Sequence, residues 1–168
     1  RFGDREALVS LHQGHRSTYR QFFDLVETAA RGLMAYGIEK GERVGIWSPN
    51  RFEWTVIQYA TAQMGAILVK INPAYRSHEL EYVLNQAGIK LLIHAAAFRT
   101  ADYTAMVAEV RARCPELKQT LVLDTEWDAL LEEAPKVSPE ALREREYALQ
   151  FDDPINIQYT SGTTGFPK

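Results

Sequence analysis

Apolar and polar positions follow two alternating patterns along most of the chain. Short apolar runs, which are typical of buried strands, are separated by longer segments in which apolar residues recur every three or four positions, as on one face of a helix. The pattern predicts strands at 44–47, 66–71, 89–93 and 119–123, with helices before and between them. Strands that alternate with helices through short connections predict an α/β fold, with a mostly parallel sheet covered by helices on both faces.

A β-hairpin is predicted at the start of the sequence. Residues 7–11 and 17–19 have strand character, and the HQGH segment between them includes Gly14, which can adopt the positive φ of a tight turn. The first helix should follow directly, because Thr18 and Gln21 have the spacing of a capping box.

Polar residues also mark the expected starts of the later helices. Asn50 and Glu53 have capping-box spacing, which predicts a helix over about 51–64, and Ser77 can cap a third helix. A fourth helix is predicted at about 101–113. Glycines in a left-handed conformation are expected to end the first three helices, at Gly37, Gly65 and Gly88.

The last part of the chain has a weaker pattern. Residues 127–134 and 139–147 are interpreted as short, acidic helices at the periphery. After them, Ile155, Ile157 and Tyr159 alternate with polar residues, which predicts a strand. Because no long linker separates these segments, the whole chain is expected to lie in a single domain.

Composition and charge exclude several classes of protein. The 168 residues are 46% hydrophobic and 24% charged, with 10 glycines and 7 prolines, which is ordinary for a globular domain and excludes a fibrous or disordered protein. The formal net charge is −3, and no run of Lys and Arg is dense enough to predict nucleic-acid binding. The longest apolar runs have about five or six residues, whereas a membrane-spanning helix requires roughly 20, so no transmembrane segment is expected.

The compartment is inferred from the cysteine content and the first residues. The single cysteine, Cys114, cannot form an internal disulfide or a cysteine-rich zinc site, and it is interpreted as a packing residue. The sequence opens with RFGDREALV, which lacks the basic and apolar regions of a secretory signal. A cytoplasmic location is therefore expected, with the mitochondrial matrix as the alternative if a transit peptide precedes Arg1.

The loop after the last predicted strand carries the candidate chemistry. In open α/β sheets, ligands bind beyond the carboxyl ends of the strands, and Thr160–Lys168 should lie at that place. Gly162 and Gly165 allow the backbone N–H groups to approach an anion closely. Lys168 adds a positive charge, and no residue of the loop is acidic. Hydroxyl donors are supplied by Thr160, Ser161, Thr163 and Thr164. This combination suits a polyphosphate.

Other interpretations of the loop depend on spacings that are absent. A Walker loop requires Lys and Ser or Thr after its last glycine, whereas Gly165 is followed by Phe166 and Pro167. A hydrolase nucleophile requires glycines two residues before and after the serine, and Ser161 has neither. An ordinary surface loop rich in Ser, Thr and Gly stays as the structural alternative. No metal-ligand motif is complete, so a metal site is left unassigned.

The sequence around this loop resembles a known superfamily. YTSGTTGFPK, at 159–168, is similar to the phosphate-binding signature of the acyl-adenylate-forming, AMP-binding superfamily. Upstream, STYRQF, ERVGIWSPN and MGAILVKINPAYRSHELEYVLNQAGIKLLI resemble its fatty-acyl-CoA and medium-chain acyl-CoA synthetase branch in order and spacing. The resemblance covers essentially all of the chain. It implies that 1–168 is the partial N-terminal domain of such an enzyme, ending in the phosphate-binding loop 160–168.

The resemblance implies a two-step ligase. A medium- or long-chain fatty acid would attack the α-phosphate of ATP in the presence of Mg²⁺, and the thiol of coenzyme A would then displace AMP from the acyl-adenylate. Residues carried over as holding the β- and γ-phosphates are Thr160, Ser161, Gly162, Thr163, Thr164, Gly165, Phe166, Pro167 and Lys168. Their role would be to stabilise developing negative charge through preorganised donors. No catalytic residue is assigned within the chain.

The same resemblance predicts whether the 168 residues alone have activity. In the family, the adenine pocket, the ribose-binding aspartate and the catalytic lysine lie downstream, so the 168 residues alone are expected to be inactive. Two alternatives stay open: an adenylation domain that feeds a carrier protein, and a non-catalytic nucleotide-binding or interaction module. The expected partners are small molecules, and exposed sheet edges favour a homo-oligomer.

Overall fold

Two β-hairpins, a parallel sheet and six α-helices are the main elements of residues 2–160, the part of the chain that the structure describes in a computed structural model. In chain order the elements are β1 (Glu6–Ser10), β2 (His15–Thr18), α1 (Tyr19–Ala35), β3 (Arg43–Trp47), α2 (Phe52–Met64), β4 (Ile67–Lys70), α3 (Ser77–Ala87), β5 (Ile89–His94), β6 (Ala97–Phe98), β7 (Ala101–Asp102), α4 (Tyr103–Arg111), β8 (Gln119–Val122), α5 (Leu123–Glu132), α6 (Pro139–Tyr147) and β9 (Asn156–Gln158). Of the predicted phosphate loop, Ser161–Lys168 lie outside the described residues.

The main sheet has five strands in the order β8-β5-β3-β4-β9, and every neighbouring pair is parallel. Strands β1 and β2 form the predicted antiparallel hairpin outside this sheet. Helices α1, α2, α5 and α6 pack on one face, and α3 and α4 pack on the other. The predicted α/β fold with helices on both faces is therefore confirmed.

Two apolar cores hold the layers together, one on each face of the sheet. The first core joins α1 and α2 to the strands through Leu33, Ile57 and Leu68. The second core joins α3 to the opposite face through Val69 and Leu84. Successive residues of β4 therefore belong to opposite cores, as the alternation of side chains along a strand requires.

Several predicted helix boundaries are confirmed. Thr18 and Gln21 form the capping box, because the Gln21 N–H donates to Thr18 Oγ1 and the Thr18 N–H donates to Gln21 Oε1, at 3.3 and 2.9 Å. The glycines predicted to have a positive φ have values between 61° and 80°, at Gly14, Gly37, Gly65 and Gly88.

Two predicted caps are wrong, at the starts of α2 and α3. The second helix begins at Phe52 with Arg51 at the cap position, and Asn50 is not its cap. Ser77 is the first residue of α3 rather than its cap, and its hydroxyl donates to Glu109 of α4 at 2.6 Å.

The segment after β5 also differs from the prediction. The fourth helix starts at Tyr103, because β6 and β7 form a short hairpin and Asp102 accepts the Ala105 N–H at 2.9 Å as the cap. Helix α5 is acidic as expected but is not peripheral, since Trp127 and Leu130 are buried in the first core. The rest of the helix carries the acidic residues outward.

Among residues 2–160, no helix is long and apolar enough to cross a membrane. Cys114 is 3% exposed in the second core, and burial raises the pKa of its thiol. The burial of Cys114 agrees with the packing role predicted for this cysteine.

Gly32 allows α1 and α5 to touch through their backbones. A Cβ atom at this position would lie 2.3 Å from the Leu130 carbonyl oxygen. Such a contact is much shorter than van der Waals distance, and the obstructing atom belongs to the backbone and cannot rotate away. The close approach of the two helices therefore requires a glycine here.

We expect Gly32→Ala to destabilise the protein by about 2 kcal/mol, because overpacking a close contact costs roughly 1–3 kcal/mol. In an unconstrained helix the same change would be stabilising by about 1 kcal/mol, so the sign of the effect is diagnostic. Urea unfolding of the variant measures it. The control is Asp24→Ala, at an exposed position of α1, which should change stability by less than about 0.5 kcal/mol. A stabilised Gly32→Ala variant would contradict the contact.

Candidate functional site

The carboxyl ends of the parallel strands form the edge of the sheet at which the predicted phosphate loop begins. Strand β9 lies beside β4, and Lys70 of β4 is in register with Gln158 of β9. Thr160, the first residue of the predicted loop, is exposed and follows β9 by two residues. The structure therefore describes the entrance to the loop but not the loop itself, whose residues 161–168 lie outside the described range.

An open cavity of about 400 Å³ lies at this edge, between the ends of β3, β4 and β9. Among the described residues that line it, Lys70 has the one charged side chain. The other lining residues are neutral: Ser48, Asn50, Trp54, Ile71, Asn72, Pro73, Gln158 and Tyr159. The cavity thus combines hydroxyl and amide groups with a single cation next to the start of the predicted loop.

One wall of the cavity, the loop after β4, is fixed by two buried aromatic residues. Trp47 and Tyr103 are fully buried and stack with their ring centroids 3.5 Å apart. The Trp47 Nε1–H donates to the Asn72 carbonyl at 3.0 Å, and the Tyr103 hydroxyl donates to the Pro73 carbonyl at 2.5 Å. Because both polar ends of the aromatic pair are used in this way, Asn72 is held at the mouth of the cavity.

Burial also affects the ionisation of Tyr103. It raises the pKa of Tyr103 to about 12, although the nearby Arg76 acts in the opposite direction. Tyr103 therefore stays protonated at physiological pH and keeps donating its hydrogen bond. Its role at the site is to position the loop.

A network of charged groups fills the neighbouring part of the edge, between the ends of β3 and β5. Arg51 donates through Nε and Nη2 to both carboxylate oxygens of Glu53, at 3.0 and 2.8 Å. Its Nη1 donates to Asp124 at 3.0 Å, and Asp124 accepts the Ala96 N–H at 2.6 Å. The connections from β3 and β5 run to opposite faces, and such a switch point is where ligands usually bind in α/β sheets. Here protein side chains occupy it, and the open cavity lies one strand away.

Gln13 links the N-terminal hairpin to this network. Its Nε2–H donates to Glu53 at 2.8 Å, and its Oε1 accepts both the Phe52 N–H at 2.8 Å and the Ser10 hydroxyl at 2.7 Å. The amide of Gln13 thus satisfies the N-terminus of α2, a role that the sequence pattern assigned to Asn50. Asn50 lines the cavity instead.

The acidic members of the network are ionised in the fold. Burial by itself would raise the pKa of Glu53, but hydrogen bonds from Arg51 and Gln13 outweigh it and the pKa is lowered. Burial also opposes ionisation of Asp124, and the Ala96 N–H and Arg51 lower its pKa overall. The network is therefore a set of ionised, mutually paired groups.

Sequence reasoning missed most of these residues. Gln13 and Arg51 have no motif around them, and each has a partner that is distant in sequence, Phe52 for Gln13 and Asp124 for Arg51. Lys70 and Asn72 do carry a signal, because a charged residue and an Asn-Pro pair directly follow an apolar strand. Such a break at the carboxyl end of a parallel strand can identify side chains that face a ligand site.

The sequence model of the AMP-binding enzyme family matches residues 1–168, the whole of the chain. The chain belongs to the AMP-binding enzyme family. Relatives among the AMP-binding enzymes include the mitochondrial medium-chain acyl-CoA ligase ACSF2 of Mus musculus, which is 41% identical over 100% of this chain and 31% of its own length. The Homo sapiens ligase of the same name is 40% identical, with the same two coverages. The chain thus spans about 31% of the length of these two relatives.

Solved structures of AMP-binding enzymes share the fold. The N-terminal domain of FACL13 from Mycobacterium tuberculosis has a TM-score of 0.79 at 30% identity, over 97% of this chain and 39% of that one. The long-chain-fatty-acid-CoA ligase FadD1 from Archaeoglobus fulgidus has a TM-score of 0.80 at 25% identity, over 99% of this chain and 33% of that one. These similarities place the chain in the N-terminal part of the AMP-binding domain.

Replacing Glu53 with Gln should destabilise the protein by about 2 kcal/mol at neutral pH, because a hydrogen bond to a charged group contributes roughly 1.5–3 kcal/mol. The folded-state pKa of Glu53 is below its ordinary value of 4.5, so its stabilisation is complete above that value. It is lost as the pH falls through the lower, folded-state pKa. The difference in unfolding free energy between wild type and variant should therefore shrink below pH 4.5.

Urea unfolding at several pH values measures this difference. The matched control is Glu6→Gln, because Glu6 pairs with Arg16 on the surface and both side chains are more than half exposed, at 54% and 61%. This control should cost less than about 1 kcal/mol at any pH. A difference for Glu53→Gln that stays constant down to pH 3 would contradict the assignment.

Proposed function

We propose that the chain is the nucleotide-binding N-terminal part of an AMP-forming acyl-CoA ligase that activates a medium- or long-chain fatty acid. ATP would supply the adenylate, pyrophosphate would leave, and coenzyme A would accept the acyl group. The sequence resemblance and the names of the similar ligases support this activity. The carrier-protein alternative has less support, because these names specify CoA ligases.

One observation of the structure carries the proposal most directly. Strand β9 delivers Thr160 to the carboxyl edge of the sheet, beside a polar cavity that contains a cation and, among its described lining residues, no carboxylate. An anionic polyphosphate would be repelled by acidic groups, and this cavity provides hydrogen-bond donors instead. The proposed role of Thr160–Lys168 is to hold the β- and γ-phosphates at this place.

The requirement for Mg²⁺ belongs to the proposal as well. Within residues 2–160, no group of His, Cys, Asp or Glu is arranged to hold a metal ion. Mg²⁺ commonly binds through nucleotide phosphates and a few protein oxygens. The hydroxyl and amide oxygens of Ser48, Asn72 and Gln158 fit such an ion in the company of phosphates, where it would neutralise their charge.

The compartment is part of the same proposal. The names of the similar mammalian ligases include the word mitochondrial. They support the mitochondrial matrix, the alternative derived above, over the cytoplasm. Imaging of the full-length protein carrying a C-terminal fluorescent tag would distinguish the two compartments.

The activity is tested on the full-length protein that contains this chain. We expect exchange of radiolabelled pyrophosphate into ATP only when a fatty acid is present, and formation of acyl-CoA when coenzyme A is added. A series of saturated acids from six to eighteen carbons locates the preferred chain length. The 168-residue chain alone should catalyse neither step. Absence of exchange with every acid would reject the proposal, and acyl transfer to a carrier protein but not to coenzyme A would favour the alternative.

Lys168→Ala should lower the rate of the adenylation step by roughly ten- to a few-hundred-fold. The estimate follows from the approximately 1.5–3 kcal/mol of a charged hydrogen bond and about 1.36 kcal/mol per tenfold change in rate. Transfer from a supplied acyl-adenylate to coenzyme A involves no pyrophosphate and should be nearly unchanged. Lys168→Arg should recover part of the loss, because a planar guanidinium replaces a point charge. Equal loss in both half-reactions would contradict a specific pyrophosphate role.

A further inference from the structure

We propose that Lys70 is a second cation of the nucleotide site, which binds the polyphosphate of ATP from the carboxyl end of β4. This inference rests on the proposed function. It assigns a role to a residue outside the loop signature, and it is carried by the position, contacts and surroundings of the Lys70 side chain.

The strand geometry directs Lys70 to the same side as Gln158. Leu68 packs in the core of α1 and α2, and Val69 packs in the core of α3 and α4. Side chains alternate along a strand, so Lys70 lies on the α2 side. Gln158 is the register partner of Lys70, and its neighbour Ile157 packs with Val69 in the opposite core. Lys70 and Gln158 therefore form the floor of the cavity, two residues before Thr160.

The ring of Trp54 holds the ammonium group at this position. Lys70 Nζ lies 5.5 Å from the centroid of the Trp54 ring. Trp54 is half-buried and packs against the first core, so the ring is a fixed platform on α2. A cation above an aromatic face is attracted by the ring quadrupole and is oriented without being neutralised.

The contacts of Lys70 differ from those of the other lysines in the described residues. Lys40, Lys90 and Lys136 each pair with a carboxylate, and Lys118 donates to the Pro115 carbonyl. Within residues 2–160, the Lys70 ammonium instead lies over the Trp54 ring. The positive charge of Lys70 is thus oriented but not compensated by a described carboxylate.

The cavity around this charge selects for an anion that accepts several hydrogen bonds. Its described lining supplies the amides of Asn50, Asn72 and Gln158. A phosphate chain presents many acceptor oxygens and a high negative charge, so it matches both the charge and the donors. Thr160, the last described residue, is exposed at the same edge of the sheet as this cavity.

The experiment measures binding to the full-length protein by calorimetric titration of ATP, inorganic pyrophosphate and AMP. Lys70→Met removes the charge and keeps an apolar stem against Trp54, whereas Lys70→Arg keeps the charge. We expect Lys70→Met to raise the Kd for ATP and pyrophosphate about 5- to 30-fold, in the range of one partly exposed charged hydrogen bond. The Kd for AMP should change less than about twofold, because AMP lacks the β- and γ-phosphates. Lys70→Arg should stay within about threefold of wild type.

The matched control is Lys90→Met, which removes a lysine at the start of β5, remote from the cavity and paired with Glu116. It should leave all three constants unchanged. If the wild type binds pyrophosphate and Lys70→Met binds it with the same Kd, the role of Lys70 is overturned but the proposed function is not. The role of Lys70 is also overturned if Lys70→Met raises the Kd for AMP as much as the Kd for ATP, or if Lys90→Met raises the Kd for ATP as much as Lys70→Met does. A wild-type protein that binds neither ATP nor pyrophosphate would overturn the proposed function, and the inference with it.

Discussion

Arg51 joins the segments that form the carboxyl edge of the sheet. Its guanidinium contacts Glu53 and Asp124, while Asp124 accepts the Ala96 N–H and Glu53 accepts a hydrogen bond from Gln13. Four segments that are distant in sequence therefore meet around one cation. Arg51 and Glu53 are largely removed from water, with 14% and 5% of their side chains exposed, so removing one of them leaves the other without its main charged partner. The loop between β3 and α2, and with it one wall of the cavity, depends on this arrangement.

This network also decides where a ligand can lie. The switch point between β3 and β5 would ordinarily be open to a ligand, but paired side chains fill it. The remaining opening lies toward β4 and β9, where the described lining is neutral apart from Lys70. The open part of this edge is thus the side of the sheet at which Thr160 emerges.

The two parts of the carboxyl edge, the Arg51 network and the loop after β4, satisfy their polar groups in different ways. The network around Arg51 pairs one cation with two carboxylates. The wall formed by the loop after β4 instead uses neutral aromatic donors, with Trp47 bonded to the carbonyl of Asn72 and Tyr103 bonded to that of Pro73. This neutral wall adds no charge beside the cavity, and Lys70 is the charged residue of its described lining, which suits a site for an anion.

Local chemistry in the sequence determined the elements and several of their ends. The capping box at Thr18 and the glycine stop at Gly65 depend on residues within a few positions of each other, so they are readable from sequence alone. The periodicity determined the layered α/β fold for the same reason, and the signature at 159–168 with the upstream segments gave the family resemblance, which the family model over residues 1–168 confirms. The rest depended on contacts between distant residues.

Only the tertiary structure decided which side chains form the site. Gln13 replaced Asn50 at the start of α2 because folding brings the hairpin against that helix, a contact across 39 positions. Lys70 came to face the cavity through its register with Gln158, which depends on the strand order that places β9 beside β4. A local pattern cannot encode either choice, because the free energy of both contacts arises between segments that are far apart in the chain.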